Sequence, residues 1–332
     1  MKAQFRVVRY TAERKGDWDA FLKRAKNATF LFCRDYMDYH SQRFSDYSLM
    51  VYRDEDILAV YPANLAAENT LVSHEGLTYG GLVLGRTLKL LEALQCFYSV
   101  LAHLNDLGIK AIRHKPIPRF YNTLPADELD YAVFLLGARL YRRDCALVIN
   151  LADPLAFQKG RKSEISKAAR FGVSVSADQD FRPFWEKVLV PRLASKHGVR
   201  PVHTVDEIVS LAQKFPDNIK LYSAYSGGGI VAGTIVYETD TVAHSQYIGV
   251  SEEGRKVGAL DCLFNWLIKD VYQQKKHFDF GICNEAEGRV LNHGMLSWKE
   301  GFGARCYAHD FYEILTETYP RLESALDAEP NS

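Results

Sequence analysis

Two side chains in the second half of the chain could move protons at neutral pH. His244 sits in the run Thr241 to Val250, and imidazole titrates nearer physiological pH than any other unperturbed side chain. Tyr247, three residues on, could return a proton to a leaving group. Strand alternation predicts that His244, Gln246 and Ile248 share one face, with Ser245, Tyr247 and Gly249 on the other. Both also have structural readings, the histidine as a satisfied member of a sheet and the tyrosine as a packing residue. Other polar residues gather where a cleft would form. His197 and His203 bracket a loop, and Asn284, Glu285, Asn292 and His293 follow the strand that contains Asp279. Lys299, beside Trp298, could hold a carboxylate or phosphate. His203, Gln246, Asn284, Asn292 and Lys299 are therefore the candidate substrate-binding residues, although turn formation alone would also explain the asparagines.

Competing chemistries leave no trace. There is no Gly-x-Ser-x-Gly elbow, no Walker loop and no His-x-x-x-His pair, and Gly227 to Gly229 reads as a hairpin turn. No metal site is expected. The six cysteines, at 33, 96, 145, 262, 283 and 306, form no Cys-x-x-Cys pair and are expected to be reduced thiols, most of them buried.

The elements that must position these residues follow from hydrophobic periodicity. A strand at the N-terminus precedes a helical segment carrying Trp18, Phe21, Leu22 and Ala25. Strands at 48–53 and 57–63 flank a turn, a third apolar stretch covers 77–84, and a helix over 87–107 places Leu88, Leu91, Leu94, Tyr98, Leu101 and Leu104 on one stripe, with a strand at 110–114 after it. The second half repeats this order with strands at 219–225, 230–237 and 241–250, a helix over 257–274 and a strand at 277–282. The offset of about 165 to 170 residues is what an internal duplication predicts. Thr204, with Glu207 three residues later, predicts a capped helix start.

The composition is globular. The chain has 332 residues, 47% hydrophobic, with 41 basic and 41 acidic side chains and no net charge, about twice an ordinary domain. Neutrality excludes a protein that blankets nucleic acid or an anionic membrane, since phosphate neutralisation dominates such affinity. One local excess stands out: Lys159, Arg161, Lys162, Lys167 and Arg170 against a single Glu164 between the halves. No N-terminal apolar run is long enough for a signal peptide, and the stretch 88–107 is too interrupted by polar residues to span a bilayer. A cytoplasmic protein without a membrane span is expected.

Three segments together resemble the GCN5-related N-acyltransferase (GNAT) superfamily, and most closely its FemAB-like branch, in which two such domains lie in one chain. They are the basic helix from Arg161 into Phe171-Gly-Val173, the strand Tyr247-Ile-Gly-Val-Ser251 leading through Arg255-Lys-Val-Gly258 into a helix, and Phe278-Asp-Phe-Gly281 with Gly288 and Lys299-Glu-Gly-Phe-Gly303. The resemblance implies an α/β (α+β) fold of two tandem GNAT-like domains, each a mixed, mostly antiparallel sheet flanked by helices. The divisions expected are 1–150 as a scaffold or acceptor-side wall, 151–326 with the donor site, and a flexible tail at 327–332.

It further implies an N-acyltransferase using acetyl-CoA or another acyl-CoA as co-substrate, with nothing bound permanently. His244 and Tyr247 are then the catalytic candidates, and Ile248, Val250, Arg255, Lys256, Val257, Gly258 and Ala259 the donor-binding ones. Leu260 stands where the family's turn has a small residue, which crowds the start of the helix. The acceptor expected is an amine of a small molecule or a cell-envelope precursor. Two alternatives accompany this reading: a FemAB-type transferase using aminoacyl-tRNA and a peptidoglycan precursor, ranked second because the chain is neutral, and a non-catalytic binding protein on a degenerate fold.

Overall fold

The computed structural model describes residues 5–66, 69–197 and 201–327. It divides into two units, one formed by residues up to Arg143 together with those from His309 onward, the other by Asp144–Ala308. The chain leaves the first unit within the strand Arg139–Asn150 and returns within Arg305–Leu315. Most of the expected tail, 328–332, lies outside the described residues.

In the first unit, Phe5–Arg9, Leu49–Arg53, Asp56–Tyr61 and Val83–Leu84 form an antiparallel sheet. The helix Leu90–Asp106 starts three residues later than periodicity suggested, because the Glu92 carboxylate accepts from the Lys89 backbone N–H (3.1 Å) and closes a capping box there. Its buried stripe runs through Leu94, Phe97, Val100, Leu101 and Leu104, whereas Leu91 is exposed.

Of the 77–84 stretch only Val83–Leu84 is a strand, beside Asp56–Tyr61, and it is not the partner of the strand after the helix. Ala111–His114 takes Thr70–Val72 as its parallel neighbour, and residues near 80 lie across the next step. The Gly80 N–H donates to the Lys115 carbonyl (2.8 Å), and Gly80 bridges Pro116. The approach is close: a Cβ on Gly80 would stand 2.2 Å from the Ser73 carbonyl oxygen.

In the second unit, Ser174–Asp178, Ile219–Ser226, Gly229–Glu238 and Val242–Val250 pair in antiparallel succession. His277–Ile282 then joins parallel to Val242–Val250, and residues 146–150 close the far side antiparallel. One face is covered by the helix Ala259–Trp266, which packs Leu263 and Phe264 with Phe278, Phe280 and Phe302 into one apolar cluster. Phe184 and Val188 press on the other face at Gly233 and Gly249, where any Cβ would collide with the Phe184 ring. The helix Val205–Lys214 is capped as expected, Thr204 Oγ1 accepting from the Glu207 N–H at 3.2 Å.

One expectation is corrected outright. Cys145 and Cys306 form a disulfide within this unit, their Cα atoms 5.5 Å apart on neighbouring strands, a separation that periodicity cannot show. Cys96 and Cys283 are buried thiols, and Cys33 and Cys262 are half-buried. Among the described residues no helix is long and apolar enough to cross a membrane.

Because the atom facing Gly80 is main chain and cannot swing away, Gly80→Ala should destabilise the protein by about 1–3 kcal/mol. The check is the urea midpoint followed by circular dichroism; an unchanged midpoint would refute the close approach.

Candidate active site

The strand Val242–Val250 carries a bulge. Its pairing with Gly229–Glu238 shifts between Ile235 and Val236: Tyr247 faces Ile235, Ser245 faces Val236, and Gln246 is the extra residue between them. The bulge reverses the alternation. His244 is paired with Tyr237 and Tyr247 with Ile235, two residues apart on one strand, so His244 and Tyr247 share a face. The expected split, with His244 and Ile248 opposite Tyr247, is therefore corrected. Ile248 and Val250 lie on the other face, half-buried against the apolar cluster, and offer a ligand mainly their backbone.

The parallel ladder between this strand and His277–Ile282 ends at the pair His244–Asp279. Beyond it, pairing on the far side of Asp279 is also interrupted, and Gly281 adopts φ +73°, so the second strand turns away. From Tyr247 to Val250 the first strand keeps a ladder partner on one side only, and Gln246 has one on neither. Main-chain positions without a ladder partner on the Asp279 side begin one residue past the histidine.

At that point stands a linked set of polar groups. His244 Nδ1 lies 2.8 Å from Asp279 Oδ2, and its Nε2 lies 3.1 Å from the Gln246 amide. The other Asp279 oxygen accepts from the Gly281 N–H (2.7 Å). Asp279 is 3% exposed, so its charge acts on the imidazole with little water between. With Nδ1–H donating to Asp279, a neutral imidazole has its lone pair on Nε2, and the Gln246 amide then turns its NH2 rather than its Oε1 to that nitrogen.

Lys299 fixes the bend itself. Its Nζ donates to the Gly281 and Ile282 carbonyls at 3.0 and 2.7 Å, and burial pushes its pKa down to about 8, partly offset by the Asp279 charge. Expected at a substrate, this ammonium is spent on the fold.

The remaining predicted residues divide similarly. Tyr247 is buried, its hydroxyl 2.5 Å from His203 Nδ1 and its ring edge-on to Trp185; burial raises its pKa to about 12, with the His203 hydrogen bond opposing. His203 is thus brought to Tyr247, while the His197 side chain lies outside the described residues. Asn284 is structural: its Oδ1 accepts from the Cys145 N–H (2.6 Å) and its Nδ2 donates to Asp144 (2.8 Å). Asn292 caps the helix His293–Gly301 through the Met295 N–H (3.1 Å) and donates to Glu285 (3.0 Å). Both were expected at a substrate and both satisfy backbone instead.

Arg255 and Lys256 are exposed, and Val257, Gly258 and Ala259 are buried. What crowds this helix start is the main chain of Glu164 over Gly258, together with the Arg161–Asp261 ion pair, whereas Leu260 is half-buried against the apolar cluster. Sequence reasoning missed Asp279. The signal was there, a single acid between Phe278 and Phe280 in an apolar strand.

The first unit is built differently at this point, and a cleft lined by Asn27, Gly80, His114, Pro116 and Asp130 lies there. Past its parallel pair, the segment around Gly80 occupies the corresponding place. The nearest imidazole, His114, is buried: Tyr61 lies 2.9 Å from its Nδ1, and burial lowers its pKa to about 4.

Residues 158–293 match the family model described as an acetyltransferase (GNAT) domain. The fold of the whole chain is shared with FemX (TM-score 0.65, 12% identity, 96% of this chain and 99% of that one). It is also shared with the C-terminal domain of a putative lysylphosphatidylglycerol synthetase from Agrobacterium fabrum (TM-score 0.58, 12% identity, 95% and 96% covered). A third structure is L-PGS from Bacillus licheniformis, with TM-score 0.57, 15% identity and 96% and 98% covered. No curated protein matches the chain. The fold over most of the chain is therefore the one that FemX has, and the family match lies within the second unit. That unit carries a GNAT acetyltransferase domain, which makes the protein an enzyme of the acyltransferase class.

Replacing Lys299 with Met should destabilise the protein by about 1–3 kcal/mol by leaving two partly buried carbonyls without a donor. The pH dependence has a definite sign. A lysine whose pKa falls to about 8 on folding holds fewer protons than in the unfolded chain between that value and the ordinary 10.5, so the wild type gains stability with rising pH across that window. Denaturation at pH 7.5 and 10 should show a larger gain in the wild type than in K299M, where Lys115, also lowered to about 8 by burial, still contributes.

Proposed function

We propose that the second unit transfers an acyl group, an acetyl group in the simplest case, from an acyl-CoA to an amine of a small-molecule or cell-envelope-precursor acceptor. The observation that carries this reading is the parting of the two parallel strands immediately beyond His244 and Asp279. A pantetheine arm is an extended chain with amides, and it suits the unpaired main chain from Gln246 to Val250 as an added strand would. Its thioester then lies beside His244 and its phosphates toward Arg255 and Lys256. The donor binds and leaves in each turnover. Dependence on acyl-CoA goes with the cytoplasmic location expected from the sequence.

In this reading His244 Nε2 takes a proton from the acceptor's ammonium or attacking amine, and Asp279 holds the imidazole and balances the charge it gains. The nitrogen lone pair forms the new C–N bond at the thioester carbon. Charge moves onto the carbonyl oxygen, where a main-chain N–H released from the ladder by the Gln246 bulge meets it. Collapse breaks the C–S bond, and the thiolate takes the Tyr247 proton. With a pKa near 12 that hydroxyl is protonated at neutral pH, and His203, 2.5 Å away, replaces its proton.

A second reading keeps the site and changes the donor to an aminoacyl-tRNA. It is favoured by the exposed cations Lys159, Lys162 and Arg170 on the helix Lys159–Arg170, and supported by the likeness to FemX and to proteins named for lysylphosphatidylglycerol synthesis. The neutral overall charge argues against a broad RNA footprint.

Calorimetry should detect CoA binding, and with acetyl-CoA and a panel of amines His244→Ala should lower kcat by about 10²–10⁴-fold while leaving KM for the donor nearly unchanged. Absence of CoA binding at high concentration overturns the first reading. For the second, filter retention of charged tRNA must fall with rising salt and weaken in K162A; retention that is absent or insensitive to salt removes it.

A further inference from the structure

The second unit, Asp144–Ala308, carries the bonded pair Cys145 and Cys306 close to its two ends. Their Cα atoms lie 5.5 Å apart on neighbouring strands. The bond spans a sequence separation of 161, so the loop it closes is nearly the whole unit. A cross-link restricts the unfolded chain more as that loop grows, and one bond here therefore acts on the entire unit.

Cys145 also holds the strand that leaves Asp279. Past the bend at Gly281 that strand meets Cys145 and Ala146: Ile282 pairs with Ala146, the Cys283 N–H donates to the Cys145 carbonyl (3.0 Å), and the Cys145 N–H donates to Asn284 Oδ1 (2.6 Å). The Cys283 carbonyl in turn accepts from the Asn292 N–H (2.9 Å), at the cap of the helix that contains Lys299. Whatever fixes Cys145 thus fixes the exit of the strand from the candidate site.

The pair is also the one that a dissolved thiol can reach. Cys306 is exposed and Cys145 half-buried. The other four cysteines, Cys33, Cys96, Cys262 and Cys283, compete poorly, because burial raises the pKa of each, to about 11 for Cys33 and about 12 for Cys96, and keeps them as unreactive thiols at neutral pH. An accessible disulfide opens in a thiol-rich compartment, where an enclosed one persists.

We propose that Cys145 and Cys306 form a redox latch, which when oxidised clamps the ends of the second unit and steadies the strand leaving Asp279, and when reduced releases both. To open it, the thiolate of a small thiol such as glutathione attacks the exposed Cys306 sulfur. A mixed disulfide forms there, and Cys145 leaves as a thiolate that takes a proton. A second thiol then attacks the small-molecule sulfur of the mixed disulfide, Cys306 leaves and is protonated, and the two small thiols depart as their own disulfide, so two electrons have passed to the protein. The latch works whichever acyl donor the site uses.

The test compares oxidised and reduced full-length chain. Thiols counted in urea should number four of the six cysteines before treatment, six after the native protein is incubated with reduced glutathione, and four again after oxidised glutathione. The oxidised form should melt about 5–15 °C higher. Hydrogen exchange at the Cys145, Cys283 and Asn292 amides should quicken by about tenfold on reduction, while the strand Gly229–Glu238 stays protected. Cys306→Ser, which cannot form the bond, should match the reduced wild type with or without glutathione. Six thiols in the untreated protein, or a response of C306S to glutathione equal to that of the wild type, overturns the proposal. So does a melting shift without faster exchange at those three amides, since the bond would then be a passive cross-link.

Discussion

The second unit depends on where one parallel ladder stops. Strands that pair along their whole length leave no main-chain group for a ligand, and strands that never pair cannot hold two side chains in register. Here the ladder runs through His244 and Asp279 and ends. That last rung sets a buried carboxylate against an imidazole at 2.8 Å, and the next residues of the strand are unpaired on that side. Around this stop are a bulge that turns His244 and Tyr247 to one face and a lysine that ties down the departing strand.

The two units show what such a stop requires. Both contain a parallel pair after a run of antiparallel strands, and both cover it with a long apolar helix. In the first unit the chain folds back at Gly80 and occupies the next position, with a main-chain approach that no side chain would permit. Its histidine is left neutral and buried. A duplicated topology therefore treats the step past the parallel pair in two ways, and a short glycine-bearing segment makes the difference.

The basic helix shows how charge is shared between fold and surface. Of its five cations, Arg161 neutralises Asp261 and Lys167 pairs with Glu164, so both serve packing. Lys159, Lys162 and Arg170 are exposed. Counting charges along the sequence could not separate these groups, because the acid that claims Arg161 lies 100 residues away. The same limit applies to Asn284, Asn292 and Lys299. Each is polar, follows an apolar strand and looks available, and each satisfies backbone or side-chain groups brought to it by folding.

Local physics determined what could be read directly. Periodicity located most strands and helices of both units, capping chemistry fixed Thr204 and Glu207, and the type of His244 marked it as the group able to exchange a proton at neutral pH. These depend on neighbours within a few residues, so the chain order contains them. Tertiary structure decided the rest. The bulge at Gln246 depends on the register of a partner strand and reversed the expected faces. Asp279 reached His244 across 35 residues, Cys306 reached Cys145 across 161, and the Gly80 segment took the step past the first unit's parallel pair. Register, closure and long-range pairing are properties of contacts between distant segments, and hydrophobic periodicity within one segment carries no information about them.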